Sequence, residues 1–76
     1  MRKIIDILKQ VRPELDYSTS ADFFEDGMLD SFDLVTLVSE LDSVYGISID
    51  GLDIVPENFS SIERIEALVQ RYGITP

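Results

Sequence analysis

The sequence predicts a small all-α fold, a four-helix bundle of three main helices and one short helix. Apolar residues recur at intervals of three and four in three separate segments. Each of those segments is bounded by residues that start or stop helices. The chain has 76 residues and is 45 % hydrophobic, which leaves room for one small core in a single domain spanning 1–76.

The first helix, about Arg2 to Val11, carries Ile4, Ile5, Leu8 and Val11 at helical spacing. Pro13 stops it, because the residue before a proline is pushed out of the helical region. Glu14 to Leu29 follows as a polar, irregular segment with Ser18, Thr19, Ser20 and Gly27. A loop this long in so small a domain is often functional. At least one of Phe23 and Phe24 should be buried to pin it, with Phe23 the anchoring aromatic.

Asp30 to Tyr45 is the clearest helix. Asp30 can cap it, and Asp33 falls at the third helical position, near the positive end of the helix dipole. Leu34, Leu37, Val38, Leu41, Val44 and Tyr45 form one apolar stripe, and Gly46 suits a left-handed cap at its end. Ile47-Ser48-Ile49 alternates but is too short for a sheet. Asp53 to Phe59 can hold the short helix, with Pro56 near its start. Ser60 with Glu63 reads as a capping box for the last helix, whose stripe is Ile62, Ile65, Leu68, Val69 and Tyr72. Gly73 ends that helix and Pro76 prevents its resumption.

The formal net charge is −9, and its distribution is uneven. The basic residues are Arg2, Lys3, Lys9, Arg12, Arg64 and Arg71, so the 51 residues from Pro13 to Glu63 have none and hold 13 acids. Such a chain repels nucleic acid and anionic membrane surfaces. The charge serves solubility and equally suits steering toward basic partner surfaces. No apolar run approaches a membrane span, and none resembles a signal peptide, so a cytoplasmic protein that does not insert into membranes is expected. A monomer is expected as well. His and Cys are both absent. The commonest general base, the thiol nucleophile and the thiolate zinc site are therefore missing, which argues against an enzyme.

One residue breaks the pattern of the second helix. With Ser31 at zero and about 100° per residue, the apolar stripe centres near 300° and Phe32 lies at about 100°, on the opposite side with Thr36, Ser39 and Ser43. A large aromatic thus shares the polar face of the first turn. Either it tucks under the preceding loop or it is an exposed anchor for a partner. Ser31 beside it has no base to make it a nucleophile, but it faces outward at the first helical position. A phosphate attached there would be favoured by the helix dipole and opposed by Asp30 and Asp33.

At Gly27-Met28-Leu29-Asp30-Ser31-Phe32 the chain resembles the acyl carrier protein family, whose Asp-Ser-Leu motif or a close variant opens the second of four helices. The resemblance extends over the whole chain, through its length, acidity, long first loop and Pro-containing short third helix. It implies that a phosphopantetheinyl transferase converts Ser31 to a 4'-phosphopantetheine ester using coenzyme A, with Asp30 helping the transferase and its magnesium ion engage the site. It also implies that the arm's thiol holds an acyl or aminoacyl cargo as a thioester, and that the protein itself catalyses nothing. The second helix has Asp33, Glu40 and Asp42 but also Thr36, Ser39 and Ser43, a face less acidic than the fatty-acid carriers show. The Gly-x-Leu-Asp-Ser-Phe run looks more like the D-alanyl carriers of Gram-positive cell walls and similar stand-alone carriers, which are loaded by an adenylating ligase. The expected partners are therefore the transferase, an acyl- or aminoacyl-adenylating ligase, and an acyltransferase or condensing enzyme. Phe32, Asp33, Thr36 and Glu40 are expected to form the partner surface.

Two other readings compete. An acidic helical interaction module would use Phe32 as an anchor and carry no cofactor. A calcium loop would place Asp22, Asp26, Gly27, Asp30 and Asp33 at EF-hand positions 1, 5, 6, 9 and 12, but Phe24 occupies position 3 and Asp33 replaces the bidentate Glu.

Overall fold

The computed structural model describes residues 3–75, so Arg2 at the start of the expected first helix and Pro76 lie outside the described residues. Among the described residues there are three α-helices and no strand: α1 (Ile4–Val11), α2 (Ser31–Tyr45) and α3 (Ile62–Arg71). α1 packs against both α2 and α3. The core takes Ile4, Ile7 and Leu8 from α1, Leu34, Leu37, Val38 and Leu41 from α2, and Ile65, Leu68 and Val69 from α3. Ile7, which the spacing read from the sequence passed over, is fully buried.

The helix ends follow from local chemistry. Asp30 accepts from the Asp33 N–H and Asp33 reaches back to the Asp30 N–H, a reciprocal capping box at the start of α2. Gly46 ends α2 at φ 67°, a left-handed conformation that glycine adopts without steric cost. The amide of Ile47 then bonds the Asp42 carbonyl at 3.1 Å. Gly73 does the same after α3 at φ 83°, with the Ile74 N–H on the Val69 carbonyl.

Two expectations need correction. The short fourth helix is absent as such. In its place are two separate 3-10 turns, Gly51–Asp53 and Pro56–Asn58, the second packed on α3. Val55 is held extended by the proline after it, at φ −131° and ψ 148°, so the two turns cannot merge. The cap of α3 is Ser61, not Ser60: the Ser61 hydroxyl accepts from the Arg64 N–H. With Arg64 at the third helical position there is no capping box with Glu63. Ser60 is committed elsewhere, its carbonyl accepting the Phe23 N–H at 2.7 Å and its hydroxyl donating to the Glu57 carbonyl.

The long segment between α1 and α2 is pinned rather than loose. It contains one 3-10 turn, Tyr17–Thr19. Phe23 is 1 % exposed and meets the Tyr17 ring edge-on, with centroids 5.2 Å apart, while Phe24 is half-buried. The Phe23 carbonyl accepts the N–H groups of both Met28 and Leu29, which turns the chain into the start of α2.

Candidate functional site

Ser31 is the first residue of α2 and is exposed. Its hydroxyl makes no hydrogen bond to a described residue. The capping box brackets it between Asp30 and Asp33. The Asp33 N–H reaches Asp30 Oδ1 at 2.9 Å, the Asp30 N–H reaches Asp33 Oδ2 at 3.3 Å, and the Leu34 N–H takes the Asp30 carbonyl. The amides of Ser31 and Phe32 remain at the positive end of the helix dipole, where a phosphoryl group is favoured. The exposed hydroxyl on this capped first turn has room for an attached group.

The surrounding side chains divide into inward and outward sets. Phe32 is 80 % exposed, which settles its two sequence readings against the tucked one. Glu40 is half-buried on the same helix. Thr36 is half-buried and turns its hydroxyl back onto the helix, donating to the Phe32 carbonyl at 3.1 Å. Asp33, expected on the partner surface, is 7 % exposed and points inward. Its Oδ2 accepts from Arg12 Nη1 at 2.8 Å. Asp42 likewise turns back, accepting the Ile49 N–H at 3.1 Å. So two of the three acids of α2 are spent on internal hydrogen bonds.

Arg12, Val35 and Leu52 are the residues that sequence reasoning missed. Arg12 lies 21 residues from Asp33, and the only sign of it is its place as the last cation before the acidic stretch. It also pairs with Glu14. The hydrogen bonds to Glu14 first, and to Asp33 second, raise the Arg12 pKa, while the Arg12 hydrogen bond lowers that of Glu14. Val35 is 65 % exposed at three residues from Phe32, and the same wheel places it at about 40°, beside that ring, so it was findable. Leu52, 89 % exposed, sits in a 3-10 turn for which apolar periodicity gives no signal.

The calcium reading finds no support in this geometry. Asp22 Oδ1 accepts from the amides of Phe24 and Glu25, Asp26 from the Ser20 hydroxyl, and Asp33 from Arg12. Among the described residues no group of three or more metal-ligating side chains is gathered. No described helix is long and apolar enough to cross a membrane.

Ser31 is thus an exposed serine on a capped first helical turn. The family model for the phosphopantetheine attachment site matches residues 2–71, and the chain belongs to that family. Neither the comparison with curated proteins nor that with solved structures gives a significant match. Proteins of this family carry 4'-phosphopantetheine covalently on a serine. They are carriers without catalysis of their own, and they interact with phosphopantetheinyl transferases and biosynthetic enzymes.

Proposed function

We propose that Ser31 is the attachment residue and that the chain carries an acyl or aminoacyl group charged by an adenylating ligase. The observation that carries the first part is the exposed Ser31 hydroxyl inside the Asp30–Asp33 capping box, within the span of the family match. In the modification, the Ser31 oxygen bonds to the pantetheine-side phosphorus of coenzyme A. The bond to the second phosphate breaks, adenosine 3',5'-bisphosphate leaves, and the hydroxyl proton passes to a base of the transferase. Asp30, exposed at the cap, meets the transferase and its magnesium ion. Once attached, the arm supplies the thiol that the chain lacks and holds the cargo as a thioester. The arm on Ser31 then acts as a tether that keeps the cargo at high effective concentration near each partner.

The cargo reading is supported by what α2 shows to solvent. Phe32 and Val35 are exposed, Ser39 and Ser43 are exposed, and Asp33 and Asp42 are turned inward. Partner enzymes would then read an apolar contact at Phe32 with a half-buried Glu40 beyond it, rather than a row of acids. This favours the ligase-loaded carriers over those handled by strongly basic condensing enzymes.

Incubation with coenzyme A, magnesium and a broad-specificity transferase should add one phosphopantetheine to the intact mass. The product should then accept an amino or acyl acid from an adenylating ligase with ATP, and should take malonyl groups poorly from a fatty-acid malonyl transferase. Charging by the malonyl transferase with refusal of every ligase tried would overturn the cargo reading. An unchanged mass with several transferases would overturn the attachment reading and favour the interaction module.

A further inference from the structure

Arg12 is not needed to explain attachment at Ser31, yet it is joined to the site by a continuous set of hydrogen bonds. It follows α1 directly. Its N–H donates to the Leu8 carbonyl at 2.9 Å, and its own carbonyl accepts from the Tyr17 hydroxyl at 2.9 Å. The same hydroxyl lies 3.1 Å from the Leu8 carbonyl, and Glu14 holds the guanidinium from the exposed side. Arg12 Nη1 then meets Asp33 Oδ2 at 2.8 Å. That oxygen is also the one that accepts the Asp30 N–H. One carboxylate oxygen therefore serves both the link to Arg12 and half of the capping box around Ser31.

We propose that Arg12 is a positioning residue for the modification of Ser31: through Asp33 it holds the first turn of α2 in the capped geometry that presents the hydroxyl. This rests on Ser31 being the attachment residue. Asp33 is buried, and a buried carboxylate needs a cation or a full set of donors. Without Arg12, Asp33 is drawn toward water, and its move takes away the acceptor of the Asp30 N–H. Arg12 also neutralises one of the two carboxylates that flank Ser31. That lowers the repulsion met by the phosphates of coenzyme A at this position.

The test compares the wild type with Arg12→Gln, Arg12→Lys and the double variant Arg12→Gln/Asp33→Asn. Steady-state transfer from coenzyme A is followed by intact mass, and amide exchange is read residue by residue. Arg12→Gln should lower kcat/KM about tenfold, through KM more than kcat, because the transferase meets a first turn that is capped only part of the time. Exchange should quicken at the amides of Asp30 and Asp33 and stay slow at Leu41. Arg12→Lys should keep most of the rate. The double variant should recover it, since the asparagine side-chain oxygen still accepts from the Asp30 N–H and no buried charge is left alone.

Wild-type kinetics and unchanged Asp30 and Asp33 exchange in Arg12→Gln would overturn the proposal. So would a double variant that folds but loads as slowly as Arg12→Gln, which would mean that Arg12 touches the transferase directly. If Arg12→Gln exchanges fast throughout and does not fold, the double variant decides by the same two outcomes. A wild-type chain that gains no mass overturns the attachment reading and this one with it, a result distinct from a wild type that loads and a variant that loads equally.

Discussion

Ser31→Ala is expected to abolish phosphopantetheine loading while leaving the fold as it is. The loss should be complete, because the serine oxygen is the atom that forms the new bond and alanine has nothing to replace it. The stability change should be small, within about 0.5 kcal/mol, for three reasons. The hydroxyl is exposed, it bonds no described residue, and alanine takes helical backbone without strain. The capping box uses Asp30 and Asp33 and is untouched. Intact mass after treatment with coenzyme A and transferase reads the first effect, and thermal melting by circular dichroism reads the second. A variant that still gains the group would move the attachment to another hydroxyl.

Phe23→Ala and Phe32→Ala should separate two aromatics nine residues apart in the chain. Phe23 is 1 % exposed, lies against Tyr17, and anchors the segment that leads into α2. Its removal leaves a cavity and should cost about 3–5 kcal/mol. For a domain of this size, with a total stability of roughly 0.05–0.15 kcal/mol per residue, that threatens folding altogether. Each kcal/mol corresponds to about 4–8 °C in Tm, so the melting temperature should fall by well over 10 °C or the transition should vanish. Phe32 is 80 % exposed, and its truncation should change stability by no more than about 0.5 kcal/mol. Its effect should appear in partner kinetics instead, as a higher KM for the transferase and the ligase. Denaturant titration of both variants checks the contrast. A large loss of stability for Phe32→Ala would show that the ring is structural, and the docking role given to it would fall.

The parts of the fold governed by neighbours in sequence were legible. Asp30 and Gly46 marked the ends of α2, and the stripe from Leu34 to Leu41 marked its buried face. The Asp30-Ser31-Phe32 motif also pointed to the family that the comparison then showed. What escaped was governed by contacts between distant segments. Two serines stand before α3, and the local capping-box rule favours Ser60, with Glu63 three residues on. The choice fell to Ser61 because the Ser60 carbonyl is taken by Phe23, 37 positions earlier. The expected short helix split because Val55 must stay extended before Pro56, while Asp50 separately caps the turn at Gly51–Asp53. The turn is further tied to α3 by the Tyr72 hydroxyl, which donates to Asp53 at 2.7 Å and accepts from the Asp50 N–H. At the site itself, Asp33 was expected on the partner surface. Only the Arg12 side chain, arriving from the end of α1, shows why it turns inward. The acidity of the chain therefore overstates the acidity of α2: two of that helix's carboxylates are internal hydrogen-bond acceptors.

Fragment-ion mapping of the loaded wild-type chain decides whether Ser31 is the point of attachment. One phosphopantetheine per chain is expected, on the fragment that contains Ser31 and on no other. The group found on a different hydroxyl, such as Ser18, Ser39 or Ser61, would contradict it, as would a chain that stays unmodified beside a control carrier loaded in the same tube.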